Sequence, residues 1–298
     1  MTILITGARG KIGQGVIDRL HASGLPIRAA SARPAELTVP AGVATAELAL
    51  DRPETFAAAL RDVRQVFLYP NPEGIDAFVK SAHDAGVEHV VLLSSSAVLN
   101  PDAEHDPLAS HNLAVERALT ASGLTTTLLR PDAFATNTLG WARLIAGGLP
   151  VELPYPDADL APIHSDDIAD IAAAILTAES ATTGALTSEA LKGAALKGRA
   201  LTLTGPEALT FRAQLAIVSE VLGRDVALRH ITHDEAERQM LAYMPAQIVG
   251  SLLSFWAGAA ARPAAIAGTT ESLLSRPART FRQWVRENAA AFTPGSTR

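Results

Sequence analysis

The sequence has no cysteine among its 298 residues. That absence excludes a disulfide framework, a thiolate metal site and a cysteine nucleophile. Positive charge is also in short supply. Lysine and arginine total 25 against 31 acidic residues, giving a net charge of −6 and a pI near 5.8. A protein built to grip nucleic acid needs a basic face, so no nucleic-acid partner is expected. Long hydrophobic runs are missing as well. The nearest approach to a membrane helix, around Ile248–Ala261, is rich in Gly, Ser and Ala and too short to span a bilayer. Met1–Ile5 runs straight into a glycine turn, without the basic segment and longer apolar stretch of a signal peptide. The expectation is a soluble cytoplasmic protein with no membrane partner. What the chain has in quantity is apolar surface: 48% of residues are hydrophobic, enough for a sizeable core. Its length suits one large α/β domain or a core with a smaller cap.

The first half alternates two patterns. Short apolar runs at Ile3–Ile5, Ile27–Ala30, Val66–Tyr69, Val90–Leu93 and Thr125–Leu129 suit parallel strands buried on both faces, with Val43–Leu48 as a weaker edge strand. Helical patterns at Lys11–Ala22, Pro53–Leu60, Gly74–Ala85 and His111–Ser122 lie between them. Gly24, Gly86 and Gly123 each follow a helical pattern and precede a strand, where a helix ends in a left-handed residue. Asp51-Arg52-Pro53-Glu54 reads as an N-cap with proline in the first turn. Such alternation predicts a doubly wound parallel sheet with right-handed crossovers.

The second half predicts a helical segment after Pro131 and then a proline-rich loop, Leu149–Pro162. Further helices are expected at Ser165–Ala178, Phe211–Leu222, Asp234–Met244 and Pro277–Ala291, with a strand at Leu201–Thr204. Ser165 reads as the N-cap of its helix, with Asp166, Asp167 and Asp170 toward the N-terminal end. An imperfect echo between Thr182 and Lys197 reads as a surface insertion. His230, His233 and Asp234 have a spacing that could supply metal ligands but reads better as a surface-helix start, and no metal is expected.

The strongest local signal is Gly7-Ala8-Arg9-Gly10-Lys11-Ile12-Gly13, set between a strand and an amphipathic helix. Gly7 permits the tight turn, Gly10 lets a pyrophosphate approach the backbone, and Gly13 lets helix pack on strand. The helix N-terminus offers N–H groups and a positive dipole to the anion. The GxxGxxG spacing is of short-chain dehydrogenase/reductase type. An NAD site carries an acid at the end of the second strand to hold the ribose 2′-OH. Here that segment is Arg28-Ala29-Ala30-Ser31-Ala32-Arg33-Pro34, with no acid before Glu36. Ser31 and Arg33, with Arg9 or Lys11, make a cradle for a 2′-phosphate, because guanidinium geometry matches phosphate oxygens. NADP(H) is therefore expected ahead of NAD(H).

Taken in order, further segments carry a family resemblance. They are Thr6–Gly13, Ser31-Ala32-Arg33, Val66–Pro70, Ala85–Ser95, Glu116–Leu124, Thr127–Pro131 with Phe134 and Asn137, Ile163–Ala169, and Leu203–Pro206. Over nearly its whole length the sequence resembles the atypical short-chain dehydrogenase/reductases of the NmrA-like, NADPH:quinone oxidoreductase-like group. The resemblance implies a Rossmann-type doubly wound parallel sheet with a smaller, mainly helical C-terminal region that caps the substrate. Residues 1–133 would be the dinucleotide-binding core. Residues 134–298 would be a mixed region, returning to the sheet over 162–205 and forming the cap. It implies that Gly7, Arg9, Gly10, Lys11 and Ile12 line the pyrophosphate, that Arg33 meets the adenosine phosphate, and that Leu50 and Asp51 lie near the adenine. Tyr69, Pro70 and Asn71 would run along the ribose, with Ser94 and Ser95 beneath the nicotinamide. Pro131, Ala133 and Phe134 would border the nicotinamide and the substrate pocket.

Active members of the wider superfamily use a serine and a Tyr-x-x-x-Lys pair, in which the tyrosine gives a proton to the carbonyl and the lysine lowers its pKa. Counted from Ser95, the tyrosine slot falls on Leu108 and the lysine slot on Asn112. None of Tyr69, Tyr155 and Tyr243 is followed four residues on by lysine. Alcohol dehydrogenation by that route is not expected. Two readings remain. One is an NADPH-dependent reductase of a quinone-like or other conjugated small molecule, in which the charge of the incoming hydride is delocalised and His111 or Ser95 is the candidate catalytic residue. The other is a non-catalytic NADP(H) sensor that signals through a protein partner. The length of the second half favours the enzyme, as a monomer or homodimer. Phe134, Trp141, Leu153, Tyr155, Met240, Met244, Phe255 and Trp256 are candidates to line its pocket.

Overall fold

The computed structural model describes residues 2–180 and 195–294. The expected insertion at Thr182–Lys197 thus lies almost entirely outside the described residues. Seven parallel strands form one sheet: β1 (Thr2–Ile5), β2 (Ile27–Ser31), β3 (Ala44–Glu47), β4 (Val63–Leu68), β5 (His89–Leu93), β6 (Thr125–Pro131) and β9 (Ala200–Leu203). Their order is β3-β2-β1-β4-β5-β6-β9, so the winding direction reverses between β1 and β4. In open α/β sheets ligands bind at such a switch point, outside the strand C-termini.

Helices α1 (Lys11–Ala22) and α6 (Ser165–Ser180) cover one face of the sheet. On the other face lie α2 (Phe56–Ala59), α3 (Ile75–Ala85) and α4 (Pro107–Ala121). Ile3, Ile5, Phe67, Val91 and Leu129 pack with Val16, Ile17, Ile168 and Ile171 in the first layer. Leu4, Val66, Val90 and Leu92 pack with Phe56, Phe78, Val115 and Leu119 in the second. Alternate residues of one strand therefore feed opposite layers, which is why these strands read as unbroken apolar runs. Gly24, Gly86 and Gly123 have φ of 70°, 73° and 79°, the left-handed conformation expected of them.

Several boundaries move, each for a local reason. Helix α4 begins a turn before His111, because Asp106 Oδ1 accepts the Leu108 amide at 3.0 Å and Pro107 takes the first helical position. At α6 the cap is His164, whose Nδ1 accepts the Asp166 amide at 3.1 Å; Ser165 is already helical. Pro53–Leu60 splits into a 3-10 turn and the short α2, and Arg52 rather than Asp51 stands at the N-cap. There Thr55 Oγ1 donates to Arg52 O at 2.7 Å and accepts from Ala49 N at 3.2 Å, which stitches the turn together.

Beyond Pro131 comes a 3-10 segment, Ala135–Trp141, and then α5 (Ala142–Ala146). The expected loop at Leu149–Pro162 contains β7 (Val151–Leu153) and β8 (Asp159–Leu160). Their partners are far away in sequence: β11 (Leu228–His230) pairs with β7 and β10 (Leu209–Thr210) with β8. Strands of two or three residues are too short to show an alternation. Next come α7 (Phe211–Leu222), α8 (His233–Met240), α9 (Ala246–Ala260), α10 (Thr269–Leu274) and α11 (Phe281–Glu287). Capping boxes Thr232/Glu235 and Thr280/Gln283 set the starts of α8 and α11. The glycine- and alanine-rich stretch around Ile248–Ala261 is α9, which buries Val249 and Leu253. Among the described residues, no helix is long and apolar enough to cross a membrane.

Candidate functional site

Strand β1 delivers the chain to Thr6, whose Oγ1 donates to Phe67 O at 3.2 Å and accepts the Tyr69 amide at 2.7 Å. These bonds tie the ends of β1 and β4 together, so Gly7–Gly13 and Tyr69–Asn71 face one another across the switch point. Gly7 turns with φ 63° and accepts the Gly10 amide at 2.9 Å. A Cβ at Gly13 would sit 2.3 Å from Gly7 O, so helix α1 can approach the loop only with glycine there. A Cβ at Gly10 would meet nothing nearer than Gly7 O, at an ordinary contact distance of 3.4 Å. Gly10 is also the N-cap of α1 and supplies no side-chain cap. The first amides of α1 thus face an open, positively polarised cradle, which fits a pyrophosphate. Ile12 packs against the core beside it, and Lys11 is exposed at its rim.

Beyond β2, Ser31 Oγ accepts the Arg33 amide at 3.1 Å. Glu36 lies between two arginines: Oε1 is 2.9 Å from Arg33 and Oε2 is 3.3 Å from Arg9, all three about half exposed. The first acid after β2 therefore pairs with both arginines expected to cradle a 2′-phosphate, and its contact with Arg9 is one that sequence distance had hidden. Leu50 and Asp51 sit in the turn after β3, where Leu50 O comes so close to Gly74 that a Cβ there would lie 1.9 Å away. Asn71 Oδ1 accepts the Glu73 amide at 3.0 Å and shapes the loop after Tyr69 and Pro70.

The two serines after β5 have different surroundings. Ser94 is buried and donates to Glu116, which in turn accepts two hydrogen bonds from Arg130, at 2.9 and 2.6 Å. Its hydroxyl is committed inside the protein. Ser95 and Ser96 line a cleft of about 450 Å³ together with Ala133 and Phe134, just beyond Pro131 at the end of β6. Ser95 Oγ accepts the Ala97 amide at 3.2 Å, and Ser96 donates to Asp132 at 2.9 Å. Leu108, in the tyrosine slot, also lines this cleft. His111 does not: its Nε2 lies 3.3 Å from Pro70 O and its ring is exposed.

Of the apolar candidates, Phe134, Trp141, Leu153, Phe255 and Trp256 reach the cleft. Tyr155, Met240 and Met244 pack with Ile231, Val249 and Leu253 in a separate small core behind α9. Reasoning from sequence missed Asp106, Asp132 and Gln214 among the lining residues; nothing about their local sequence marks them out.

The acids of α6 have a structural task. Asp167 is fully buried and pairs with Arg276 and Arg279, while Asp170 pairs with both and with Arg19 of α1. Burial acts to raise the Asp170 pKa, but hydrogen bonds and charge from Arg19 and Arg279 together hold it below its ordinary value. His164, Asp166 and Glu287 come close enough to suggest a cation site. Both imidazole nitrogens are already engaged, however: Nδ1 accepts the Asp166 amide and Nε2 lies 3.0 Å from Glu287. His230 and His233 part company, one toward Pro154 O at 3.1 Å and the other toward the Tyr155 hydroxyl at 2.8 Å.

Comparison with known proteins agrees with this geometry. The NAD(P)H-binding family matches residues 7–179. A (4-alkanoyl-5-oxo-2,5-dihydrofuran-3-yl)methyl phosphate reductase of Streptomyces griseus is 36% identical, over 98% of this chain and 99% of its own. An NAD(P)H azoreductase of Xenophilus azovorans is 30% identical, over 97% and 99%. Among solved structures, an NADPH-dependent quinone oxidoreductase of Escherichia coli in complex with NADPH superposes with a TM-score of 0.78, at 20% identity, over 96% of this chain and 99% of that one. The chain belongs to the NAD(P)H-binding family, as an atypical short-chain dehydrogenase/reductase of the NmrA-like group.

Proposed function

We propose that the protein is an NADPH-dependent reductase that passes hydride to a quinone-like or other conjugated small molecule held in the cleft beside Ser95, Ala133 and Phe134. The observation that carries this reading is the cleft itself. It opens at the C-terminal ends of β5 and β6, on the same edge of the sheet as the glycine loop after β1, and Phe255 and Trp256 of α9 line it. A sensor that only binds the dinucleotide has no use for the further space lined by Trp141, Phe255 and Trp256. Gly7, Arg9, Gly10, Lys11, Ile12 and Gly13 would hold the pyrophosphate, and Ser31, Arg9 and Arg33 the 2′-phosphate. Leu50 and Asp51 would border the adenine, and Tyr69, Pro70 and Asn71 the ribose. Ser95, Pro131 and Phe134 would meet the nicotinamide, with Ser94 behind them. The bound cofactor supplies a hydride. The residues of the chain orient the acceptor, exclude water through the aromatic roof, and offer the Ser95 hydroxyl to an acceptor oxygen. Leu108 in place of tyrosine offers no proton at that position, which suits acceptors whose conjugation spreads the incoming charge.

The test is NADPH consumption under anaerobic conditions with a benzoquinone, a naphthoquinone and an azo compound, beside a direct NADPH binding titration. Oxidation that saturates with one of these acceptors is expected. Tight NADPH binding with every acceptor inert would replace this reading with the sensor.

A further inference from the structure

The acceptor cleft carries charge of one sign only. Its ionisable lining residues are Asp106 and Asp132, and no lysine, arginine or histidine lines it among the described residues. Neither carboxylate is in an ion pair among the described residues. Each is held in place by a neutral donor: Asp106 Oδ1 accepts the Leu108 amide at 3.0 Å, and Asp132 Oδ1 accepts the Ser96 hydroxyl at 2.9 Å. Much of the remaining wall is aromatic. Trp141 and Trp256 both stand edge-on to Phe211, with centroids 5.8 and 5.6 Å apart. Aromatic faces attract cations. Carboxylates in a half-enclosed cleft do so more strongly than in open water, and they repel anions equally.

The missing proton donor points the same way. A neutral quinone that accepts hydride becomes an anion and needs a proton, whereas a delocalised cation becomes neutral and needs none. Resting on the reductase reading above, we propose that the preferred acceptor is a flat, delocalised organic cation, such as an N-alkylated aromatic iminium, and that Asp132, assisted by Asp106, selects it. In the reaction one C–H bond forms at the electron-poor carbon of the acceptor as one breaks at the dihydronicotinamide. Two electrons move with the hydride, the acceptor loses its positive charge, the nicotinamide gains one, and no proton is transferred.

Three flat probes test the proposal: N-methylacridinium, neutral menadione and an anionic naphthoquinone sulfonate. Binding is read from quenching of Trp141 and Trp256 in protein loaded with the redox-inert tetrahydro analogue of NADPH. Turnover is read separately as NADPH consumption. The cation should bind about tenfold more tightly than the neutral probe, and the anion most weakly. Asp132→Asn retains an oxygen for Ser96, and Asp106→Asn retains a good N-cap, so both variants should fold. Asp132→Asn should weaken the cation about tenfold and leave menadione within twofold. Affinities that ignore probe charge, or a cation affinity unmoved by Asp132→Asn, would overturn the proposal whatever the turnover. The expected order of binding with no NADPH consumption by any probe would overturn the reductase reading while leaving cation recognition in place.

Discussion

Replacing Glu36 by glutamine should tighten NADPH binding and leave NADH almost untouched. The two guanidinium groups proposed to meet a 2′-phosphate are both occupied by this one carboxylate, at 3.3 Å from Arg9 and 2.9 Å from Arg33. A bound 2′-phosphate must take over those contacts and also tolerate the carboxylate beside it. All three side chains are about half exposed, so each pair contributes only about 0.2–1 kcal/mol. Releasing both corresponds to about a two- to thirtyfold gain in NADPH affinity. NADH has no 2′-phosphate and gains nothing; loss of an acceptor near its ribose can only weaken it. Fluorescence titrations of both cofactors at two ionic strengths provide the assay, and the gain should shrink at higher salt because exposed charges are screened. Arg33→Glu is the opposing arm and should weaken NADPH much more than NADH. Equal changes for the two cofactors in either variant would refute the assignment of this cradle to the 2′-phosphate.

Three further outcomes are expected. Gly13→Ala puts a methyl 2.3 Å from Gly7 O, so α1 must back away from the loop. A stability loss of about 1–3 kcal/mol, seen in thermal melts, should accompany a marked loss of dinucleotide affinity. Gly250→Ala in α9, with no atom within 4 Å of the added carbon, should be neutral or slightly stabilising. The third outcome concerns acid. Because the folded Asp170 pKa lies below its ordinary value, its contribution is present above the unfolded pKa of about 3.9 and is lost as pH falls through the folded value. Melting temperature should therefore drop below about pH 4, and Asp170→Asn should flatten that limb while lowering stability at neutral pH. An unchanged acid limb in the variant would mean that other carboxylates govern it.

The sequence alone determined the features that are local or periodic. Strand–helix alternation in the first half announced the parallel sheet, because strands buried on both faces cannot hide their apolar runs. The glycine loop was legible for a related reason: its turn, its approach to the ligand and its packing on α1 are all set within a few consecutive residues. Leu108 and Asn112 could likewise be read against a family spacing, and the weak proton chemistry followed.

Only the tertiary structure decided what distant residues do together. Glu36 looked like a loop acid until the fold placed it between Arg9 and Arg33. Ser94 and Ser95 are neighbours in sequence, yet the extended chain just past β5 sends one toward Glu116 and leaves the other at the cleft. Asp167 and Asp170 read as acids favouring a helix N-terminus, and the fold made them partners of arginines more than a hundred residues away. Asp106, a helix cap, and Asp132, an acid after a strand, acquire a shared electrostatic meaning only because the fold brings both to one cleft with Phe255 and Trp256 of α9. Burial and charge are summed in space, and a linear pattern carries that sum only where neighbours in the chain are also neighbours in the fold.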